Sequence, residues 1–280
     1  FVIIYLFNFD YIEIDWSSIN YYFLALSTIL LWAGLTFSTI SWWNALRVHS
    51  IKIKVPVAII SHGLAVFTKY IPGKIWTILS RASYVSTGAN QSMKTVSFIS
   101  LKEQLIYVWV GLAVGSIPML FIYGFSEFSI VVLAIFLALS FFIFSTWFHN
   151  LVIRIIRSII KKELEIPLVG FNEVSSIIIY CLGYWIIWMF AFYMFCISFY
   201  PESSFSVAFA FPLSVTLGLL AIIVPGGIGV REGIITAYLV QTGIPLKEAG
   251  MISVIARLWF ITGEIFIFGL AILLKYRRSE

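Results

Sequence analysis

The chain has 280 residues, of which 61% are hydrophobic and 11% are charged, and its mean hydropathy is +1.02. So few polar residues cannot cover a globule of this size in water, so the composition excludes a soluble domain and predicts an integral membrane protein. The net charge of +5 comes from 18 basic and 13 acidic residues. In a membrane chain, basic residues report orientation rather than nucleic-acid binding.

The N-terminal part of the chain predicts one partial and one complete membrane crossing. Residues 1–7 are apolar but too few to span a bilayer, so we interpret them as the end of a first crossing whose beginning is missing. An acidic loop follows, and then Tyr21 to Leu46 is long enough to cross with some tilt. The basic residues after this crossing place its end in the cytoplasm: Arg47, Lys52 and Lys54.

A Pro-Gly break interrupts the next apolar segment. Val55 to Ile71 has 17 residues and ends at Pro72-Gly73, and a second short stretch runs from Lys74 to about Ser86. Neither stretch reaches the roughly 20 residues that a full crossing needs. The two stretches therefore predict a re-entrant helical hairpin that enters the membrane from the cytoplasm and returns to it.

The remainder of the first half predicts two crossings and a surface helix. A helix from about Met93 to Tyr123, kinked at Pro118, leads to the outside, and Ser129 to Asn150 crosses back. Within 151–165, Arg and Lys recur among Ile and Leu at three- and four-residue spacing. This pattern is typical of an amphipathic helix that lies on the inner membrane surface.

The second half repeats this plan in the opposite direction. Val174 to Ser198 crosses to the outside, and Phe205 to Val224 and Ile228 to Val240 form a second hairpin around another Pro-Gly break. Gly250 to Leu274 then returns to a basic, cytoplasmic C-terminus. The two breaks lie 153 residues apart.

The predicted fold is all-α, a single transmembrane domain over 1–280 with about six transmembrane helices and two Pro-Gly re-entrant hairpins. Residues 21–124 form the first repeat and 174–275 the second, inverted repeat. Positions that agree at the 153-residue offset include Trp32 with Trp185, Ser61 with Ser214 and Ser100 with Ser253. Coincidence between two similar hairpins stays open. The opposite orientation of the halves favours a true repeat, which is a transporter architecture with its site at the repeat interface.

The chemistry of the two breaks suits an anion. Pro72 and Pro225 fit the first turn of a helix, so each predicts the start of a half-helix deep in the membrane. Such a start exposes free N–H groups and a partial positive charge, which attract phosphate. Nearby glycines permit close backbone approach to the anion: Gly73, Gly226, Gly227 and Gly229. The alternative is that Pro-Gly only turns the chain.

Seven ionisable side chains fall on the hairpins or on the final helix. Each costs about 2.5 to 3.5 kcal/mol near the bilayer centre, even on the mildest scale. We therefore expect them to pair with one another, to line water or to meet a charged ligand. They are Lys69, Lys74, Arg81, Arg231, Glu232, Arg257 and Glu264. Glu103 is interpreted as merely interfacial. His62 is interpreted equally as a hydrogen-bonded packing residue or as a proton carrier, and lies outside the predicted site.

The residues around both breaks carry a resemblance to a known family. They read Lys69-Tyr-Ile-Pro-Gly-Lys-Ile-Trp76 in the first half and Val224-Pro-Gly-Gly-Ile-Gly-Val-Arg-Glu232 in the second. Together with Arg257 and Glu264 they resemble the flippase-like family, also called the lysylphosphatidylglycerol synthase transmembrane region. The likeness covers essentially the whole chain. It implies translocation of a lipid with a phosphate-bearing head group, a phospholipid or a polyprenyl-linked lipid, across a prokaryotic cytoplasmic membrane.

The residues and the resemblance together predict a mechanism of alternating access. A lipid phosphate docks between the two half-helix starts, and Glu232 and Glu264 hold the cations when the site is empty. The cations that neutralise the phosphate are Lys74, Arg81, Arg231 and Arg257. The sequence has no nucleotide-binding loop of the Gly-x-x-x-x-Gly-Lys-Ser/Thr type, and we expect no cofactor.

Two other classes of function stay open. A membrane-embedded transferase would need a general base and usually a metal, but no Asp follows Asp15 and no His-rich or paired-carboxylate motif occurs, so we expect no enzyme. A non-catalytic subunit of an envelope lipid or polysaccharide assembly complex would also suit a small membrane chain. Partners would then include an envelope-biosynthesis protein or a second copy, besides the membrane lipid.

Overall fold

The computed structural model of the protein describes residues 16–71, 75–145, 147, 171–221 and 224–279. The regular structure of these residues is helical throughout. We number the α-helices in chain order: α1 (Tyr21–Val48), α2 (Val55–Ala65), α3 (Ile75–Ala89), α4 (Met93–Tyr123), α5 (Glu127–Phe144), α6 (Phe171–Phe199), α7 (Ala210–Leu220), α8 (Val230–Gln241) and α9 (Leu246–Ser279).

Four of the described helices are long and apolar enough to cross a membrane, namely α1, α4, α6 and α9. This confirms the prediction of an all-α membrane protein with several crossings. Shorter apolar helices cover Val55–Tyr70, Glu127–Phe141 and Phe205–Leu220. The count of six crossings and the re-entrant character of the hairpins stay predictions. The predicted segments 1–7 and 151–165 lie outside the described residues, as do Pro72, Gly73 and Lys74.

The ends of α4 and α5 follow from their flanking residues. Helix α4 has the predicted bounds and ends because Gly124 takes a φ of 72°, a left-handed conformation that suits glycine. It continues through Pro118. Helix α5 begins earlier than predicted because the Ser126 hydroxyl caps it, accepting the Ser129 N–H at 3.2 Å. It ends at Phe144, well before the predicted Asn150, where Ser145 adopts an extended conformation.

Helices α1 and α6 pack closely along each other. The Trp188 indole of α6 donates its Nε1–H to the Leu31 carbonyl oxygen at 3.3 Å. Its ring lies against Gly34 of α1, and the Phe37 ring of α1 lies against Gly183 of α6 in return. Because lipid is as apolar as these side chains, close packing at small residues has to hold such helices together.

The remaining helices pack in pairs that correspond between the two halves. Helix α2 of the first half packs on α9 of the second, and α7 of the second half packs on α4 of the first. Each half-helix after a break also packs on the long helix that follows it, α3 on α4 and α8 on α9. An inverted repeat would produce this exchange of partners, although the repeat itself stays a prediction.

Two serine pairs from the 153-residue alignment have equivalent surroundings. The Ser61 and Ser214 hydroxyls each donate to the carbonyl oxygen three residues earlier, at 3.0 and 2.9 Å. Ser100 of α4 accepts hydrogen bonds from Arg81 of α3, and Ser253 of α9 accepts one from Thr236 of α8 at 2.9 Å. In both halves, therefore, a serine ties the long helix to the half-helix after the break.

The close contact between α2 and α9 predicts a strong effect of one methyl group. A Cβ on Gly63 would lie 2.6 Å from the Ile267 carbonyl oxygen, and backbone atoms of a packed helix cannot yield cheaply. We expect Gly63→Ala to lower the stability by about 1 to 3 kcal/mol, measured as a lower Tm in detergent. Gly269→Ala is the matched control, because a Cβ at Gly269 of α9 meets nothing within 4 Å. Equal Tm values for the two variants would contradict this packing.

Candidate functional site

The first break places two polar side chains just after the C-terminal end of α2. The helix ends at Ala65, and a short 3₁₀ turn over Val66–Tyr70 follows. Ile71 is extended and ends that turn. The tighter winding of a 3₁₀ turn changes the direction in which side chains leave the backbone. Lys69 and Tyr70 consequently project from the break towards α9, where both contact Glu264.

The second break has a different local structure from the one predicted. Pro225 begins a three-residue 3₁₀ turn, Pro225–Gly227, and α8 starts only at Val230. The prediction that Pro225 starts the half-helix is therefore wrong. Three glycines at left-handed φ values separate the turn from the helix, and a continuous helix cannot contain them: Gly226 at 62°, Gly227 at 68° and Gly229 at 85°.

The N-terminus of α8 is capped by its own acidic residue. The Gly229 N–H donates to Glu232 Oε2 at 2.6 Å. A carboxylate in the first turn is favourable because it meets free N–H groups and the positive end of the helix dipole. One of the donors predicted to hold an anion is thus already engaged by an internal carboxylate.

The first break meets α9 at Glu264, whose side chain is completely buried. Its carboxylate forms an ion pair with Lys69 and accepts a hydrogen bond from the Tyr70 hydroxyl at 2.8 Å. That hydroxyl accepts from Arg257 Nη2 at 3.4 Å. The Tyr70 ring also lies against Gly226, so the first break touches the second directly. The sequence does not single out Tyr70, since a tyrosine in an aromatic-rich chain gives no signal of its own.

Arg231 and Arg257 are buried beside this contact, at 7% and 9% exposure. The Arg231 guanidinium lies over the Phe260 ring at 4.7 Å, a cation–π arrangement. Arg257 Nε is 4.0 Å from Glu232 Oε1. Two of their nitrogen atoms, Arg231 Nε and Arg257 Nη1, are buried without a hydrogen-bond partner among the described residues. Such unsatisfied donors are unusual in a native interior and favour a ligand or water at this place.

We define the ionic cluster as Lys69, Arg231, Glu232, Arg257 and Glu264. It contains three cations and two carboxylates, so it has an excess of one positive charge. Buried ionic groups are tolerated only when they compensate one another. The uncompensated charge makes the cluster suited to an anion.

The space inside the ionic cluster is small. Between Arg231, Glu232 and Arg257 the cavity has a volume of about 10 Å³, and Phe211 and Ser253 line its other sides. That is roughly the volume that a single water molecule needs. A phosphate would enter only if the half-helix α8 moved relative to α9.

Arg81, predicted as a phosphate ligand, lies in a second buried ion pair. Its Nη2 donates to Glu103 Oε2 at 2.9 Å and to Ser100 Oγ at 2.8 Å, and its guanidinium lies over the Trp42 ring at 4.4 Å. Among the described residues, no hydrogen bond or ion pair joins Arg81 to the ionic cluster. The structure therefore brings Arg231, Glu232, Arg257 and Glu264 together but leaves Arg81 apart.

Glu103 is buried at 4% exposure, so its interpretation as an interfacial residue is wrong. Its position near the start of a long helix favoured the membrane surface, but α3 covers it and supplies Arg81 as its counter-charge. His62 lies next to this pair, with Nδ1 3.4 Å from Arg81 Nη1. The pairing of Arg81 with Glu103 is visible only once the positions of α3 and α4 relative to each other are known.

These observations define the class of protein, an all-α multi-pass membrane protein with an ionic cluster where two broken helices meet a long helix. The chain belongs to the family described as the lysylphosphatidylglycerol synthase TM region, whose model matches residues 1–262. The protein is therefore a membrane protein of a family linked to lipid handling. Comparison with curated proteins and with solved structures gives no match.

The Lys69–Glu264 pair predicts a test by two substitutions. Glu264→Leu leaves Lys69 without its carboxylate, so we expect a loss of about 3 kcal/mol in stability, measured as a lower Tm in detergent. Adding Lys69→Met removes the orphaned cation and should recover much of that loss, because the pair is then replaced by apolar side chains. A double variant that is no more stable than Glu264→Leu would contradict a direct interaction between the two side chains.

The contact between the breaks predicts a second effect, at Gly226. Its φ of 62° is unfavourable for other residues, and a Cβ there would lie 2.7 Å from the Tyr70 ring and 2.9 Å from Arg257 Nη2. We expect Gly226→Ala to cost about 1 to 3 kcal/mol, read from the same thermal unfolding measurement. Gly233→Ala, at an open position inside α8, should leave Tm unchanged or slightly higher.

Proposed function

We propose that the protein translocates a lipid with a phosphate-bearing head group across a prokaryotic cytoplasmic membrane by alternating access. One observation carries the proposal. The ionic cluster has three cations against two carboxylates; its two arginines and two carboxylates are buried, and Lys69 is half-buried. Two guanidinium nitrogens in it, on Arg231 and Arg257, have no hydrogen-bond partner among the described residues. Membership in a family linked to lipid handling supports a lipid as the source of the missing anion.

A phosphate suits the ionic cluster in charge and in hydrogen bonding. Arginine presents planar arrays of N–H donors that match phosphate oxygens. Arg231 Nε and Arg257 Nη1 would both donate to such an oxygen, which satisfies two donors that burial otherwise leaves unpaired. The carboxylates then act as internal substitutes for the substrate. Glu232 and Glu264 compensate the cations while no phosphate is bound, and they remain as counter-charges when it leaves.

Movement of the helices is part of the proposal, because the ionic cluster is closed around about 10 Å³. Rocking of one repeat against the other would supply this movement, and the contacts of α2 with α9 and of α7 with α4 lie between the two repeats. Opening of the cluster alternately towards either face would pass the head group while the acyl chains stay in the bilayer. We place the C-terminus in the cytoplasm because basic residues follow the last crossing. We propose no chemical conversion of the lipid.

The proposal predicts that the two arginines control the rate of translocation. We expect Arg231→Ala combined with Arg257→Ala to slow the transfer of fluorescent phosphatidylglycerol between leaflets of proteoliposomes at least about tenfold, since a hydrogen bond to a charged group contributes about 1.5 to 3 kcal/mol. Transfer is measured as the fraction of label accessible to an impermeant quencher over time. Arg47→Ala is the matched control, because Arg47 is an exposed arginine of α1 that lies outside the ionic cluster.

Mass spectrometry of lipids bound in native nanodiscs complements the transfer measurement. An anionic or polyprenyl-linked lipid should be enriched with the wild-type protein and lost from the arginine variant. Unchanged lipid sidedness in a well-expressed and folded double variant would contradict the proposal. If only bulk lipid copurifies, together with other envelope proteins, the non-catalytic subunit of an assembly complex becomes the better hypothesis.

A further inference from the structure

A second, larger cavity opens between α2, α3 and α9, and none of its lining residues belongs to the ionic cluster. Its volume is about 700 Å³, within the range of sites for small molecules. One face of α3 provides most of its polar lining, namely Ser80, Ser83, Tyr84 and Thr87. The opposite face of α3 is buried in the protein, where Arg81 and its neighbours pack. The cavity is therefore lined by a face of a helix that carries hydroxyl groups.

The residues that line the cavity extend along the lengths of α2 and α3. Val57 lies at the start of α2, Gly88 at the end of α3 and Lys275 near the end of α9, and these three residues line one end. Leu64 and Ser80, which line the other end, lie close to the break in sequence. Along α3 the lining extends over about 12 Å, from the rise of a helix per residue. The cavity thus leads from the predicted cytoplasmic surface to the break that carries Lys69.

The hydroxyl groups in this cavity are available to a ligand. Thr87 donates to the Ser83 carbonyl oxygen at 3.0 Å, within the helix. The Ser80, Ser83 and Tyr84 hydroxyls make no hydrogen bond to another residue in the described part of the chain. Ser83 is exposed and Ser80 and Tyr84 are half-buried, so their hydroxyls are open to a molecule in the cavity. They favour a cavity that holds a polar, hydroxylated group.

We propose that this cavity binds the uncharged, hydroxylated part of the lipid head group, a glycerol or a sugar. The inference rests on the proposed function and specifies its substrate class. Hydroxyls both donate and accept, so the three free groups match a polyol. None of the described lining residues carries a carboxylate, and Lys275 lines the outer end. A cationic, aminoacylated head group would find no counter-charge here, so the cavity selects a neutral polyol on an anionic phosphate.

Binding to the whole protein in phosphatidylcholine nanodiscs tests this selection. The probes share their acyl chains and differ in the head group: phosphatidylinositol, phosphatidylglycerol, phosphatidylmethanol and lysyl-phosphatidylglycerol. Phosphatidylmethanol keeps the phosphodiester charge and has no head-group hydroxyl. We expect at least one of the two polyol lipids to bind at least about tenfold more tightly than phosphatidylmethanol and than the lysyl lipid, because two or three hydrogen bonds distinguish them. Tighter binding of phosphatidylinositol indicates a sugar-like group, and tighter binding of phosphatidylglycerol indicates glycerol.

Removal of the hydroxyls gives the matching test. In the variant Ser80→Ala, Ser83→Ala, Tyr84→Phe, the affinity for phosphatidylmethanol should stay the same. The ratio of the affinity for the polyol lipid to that for phosphatidylmethanol should fall towards one. Ser83→Ala alone should lower it partly, and this exposed position tolerates change. Ser86→Ala is the control, since that hydroxyl donates to the Ser83 carbonyl oxygen on the same helix and does not line the cavity.

Two results overturn the inference, namely equal binding of all four lipids by the wild-type protein and a polyol preference that survives in the triple variant. Neither result contradicts the proposed translocation of a lipid with a phosphate-bearing head group. That function fails separately, if the variant Arg231→Ala, Arg257→Ala binds and transfers the phosphodiester lipids as the wild-type protein does.

Discussion

The buried carboxylate of Glu264 is the constraint around which the candidate site is organised. A carboxylate with no exposure must be compensated, and here Lys69 and Tyr70 of the first break compensate it. This interaction fixes the first break against α9, and the Tyr70 ring in turn meets Gly226 of the second break. One ionisable group therefore holds together three segments that are far apart in sequence. Without it, the cations around the site would repel one another in a medium that cannot solvate them.

The excess of cations in the ionic cluster makes it suited to bind an anion. An interior that served only structure would match its charges, as Arg81 and Glu103 do in the second ion pair. The ionic cluster does not match them, and among the described residues it leaves two guanidinium nitrogens, Arg231 Nε and Arg257 Nη1, without a hydrogen-bond partner. A family linked to lipid handling, a membrane location and a partly uncompensated positive charge are consistent with an anionic head group as the missing partner. The hydroxyl-lined cavity between α2, α3 and α9 adds a polar surface outside the ionic cluster.

Much of the fold is readable from the sequence because membrane helices depend on local apolar length. The bounds of α4 agree with the prediction, and the charged residues near the second break were recognised because charge is rare in such a chain. The start of α8 was misplaced, since the conformations of Gly226, Gly227 and Gly229 depend on what packs against them. The ion pair between Arg81 and Glu103 could not be predicted either, because residue spacing does not give the position of α3 relative to α4. Tyr70 cannot be singled out from the sequence because one tyrosine does not stand out in an aromatic-rich chain.

Because Glu232 caps α8, its carboxylate competes with any anion for the N-terminus of that helix. A carboxylate attached to the chain is an intramolecular ligand, present at an effective concentration of about millimolar or more. A free anion in the cytosol must outcompete it from a dilute solution, whereas a lipid confined to the bilayer already has a high local concentration. Under the proposed function, Glu232 would therefore discriminate between anions by their route of delivery. It would disfavour small soluble anions and leave the N-terminus of α8 to anions that arrive within the membrane.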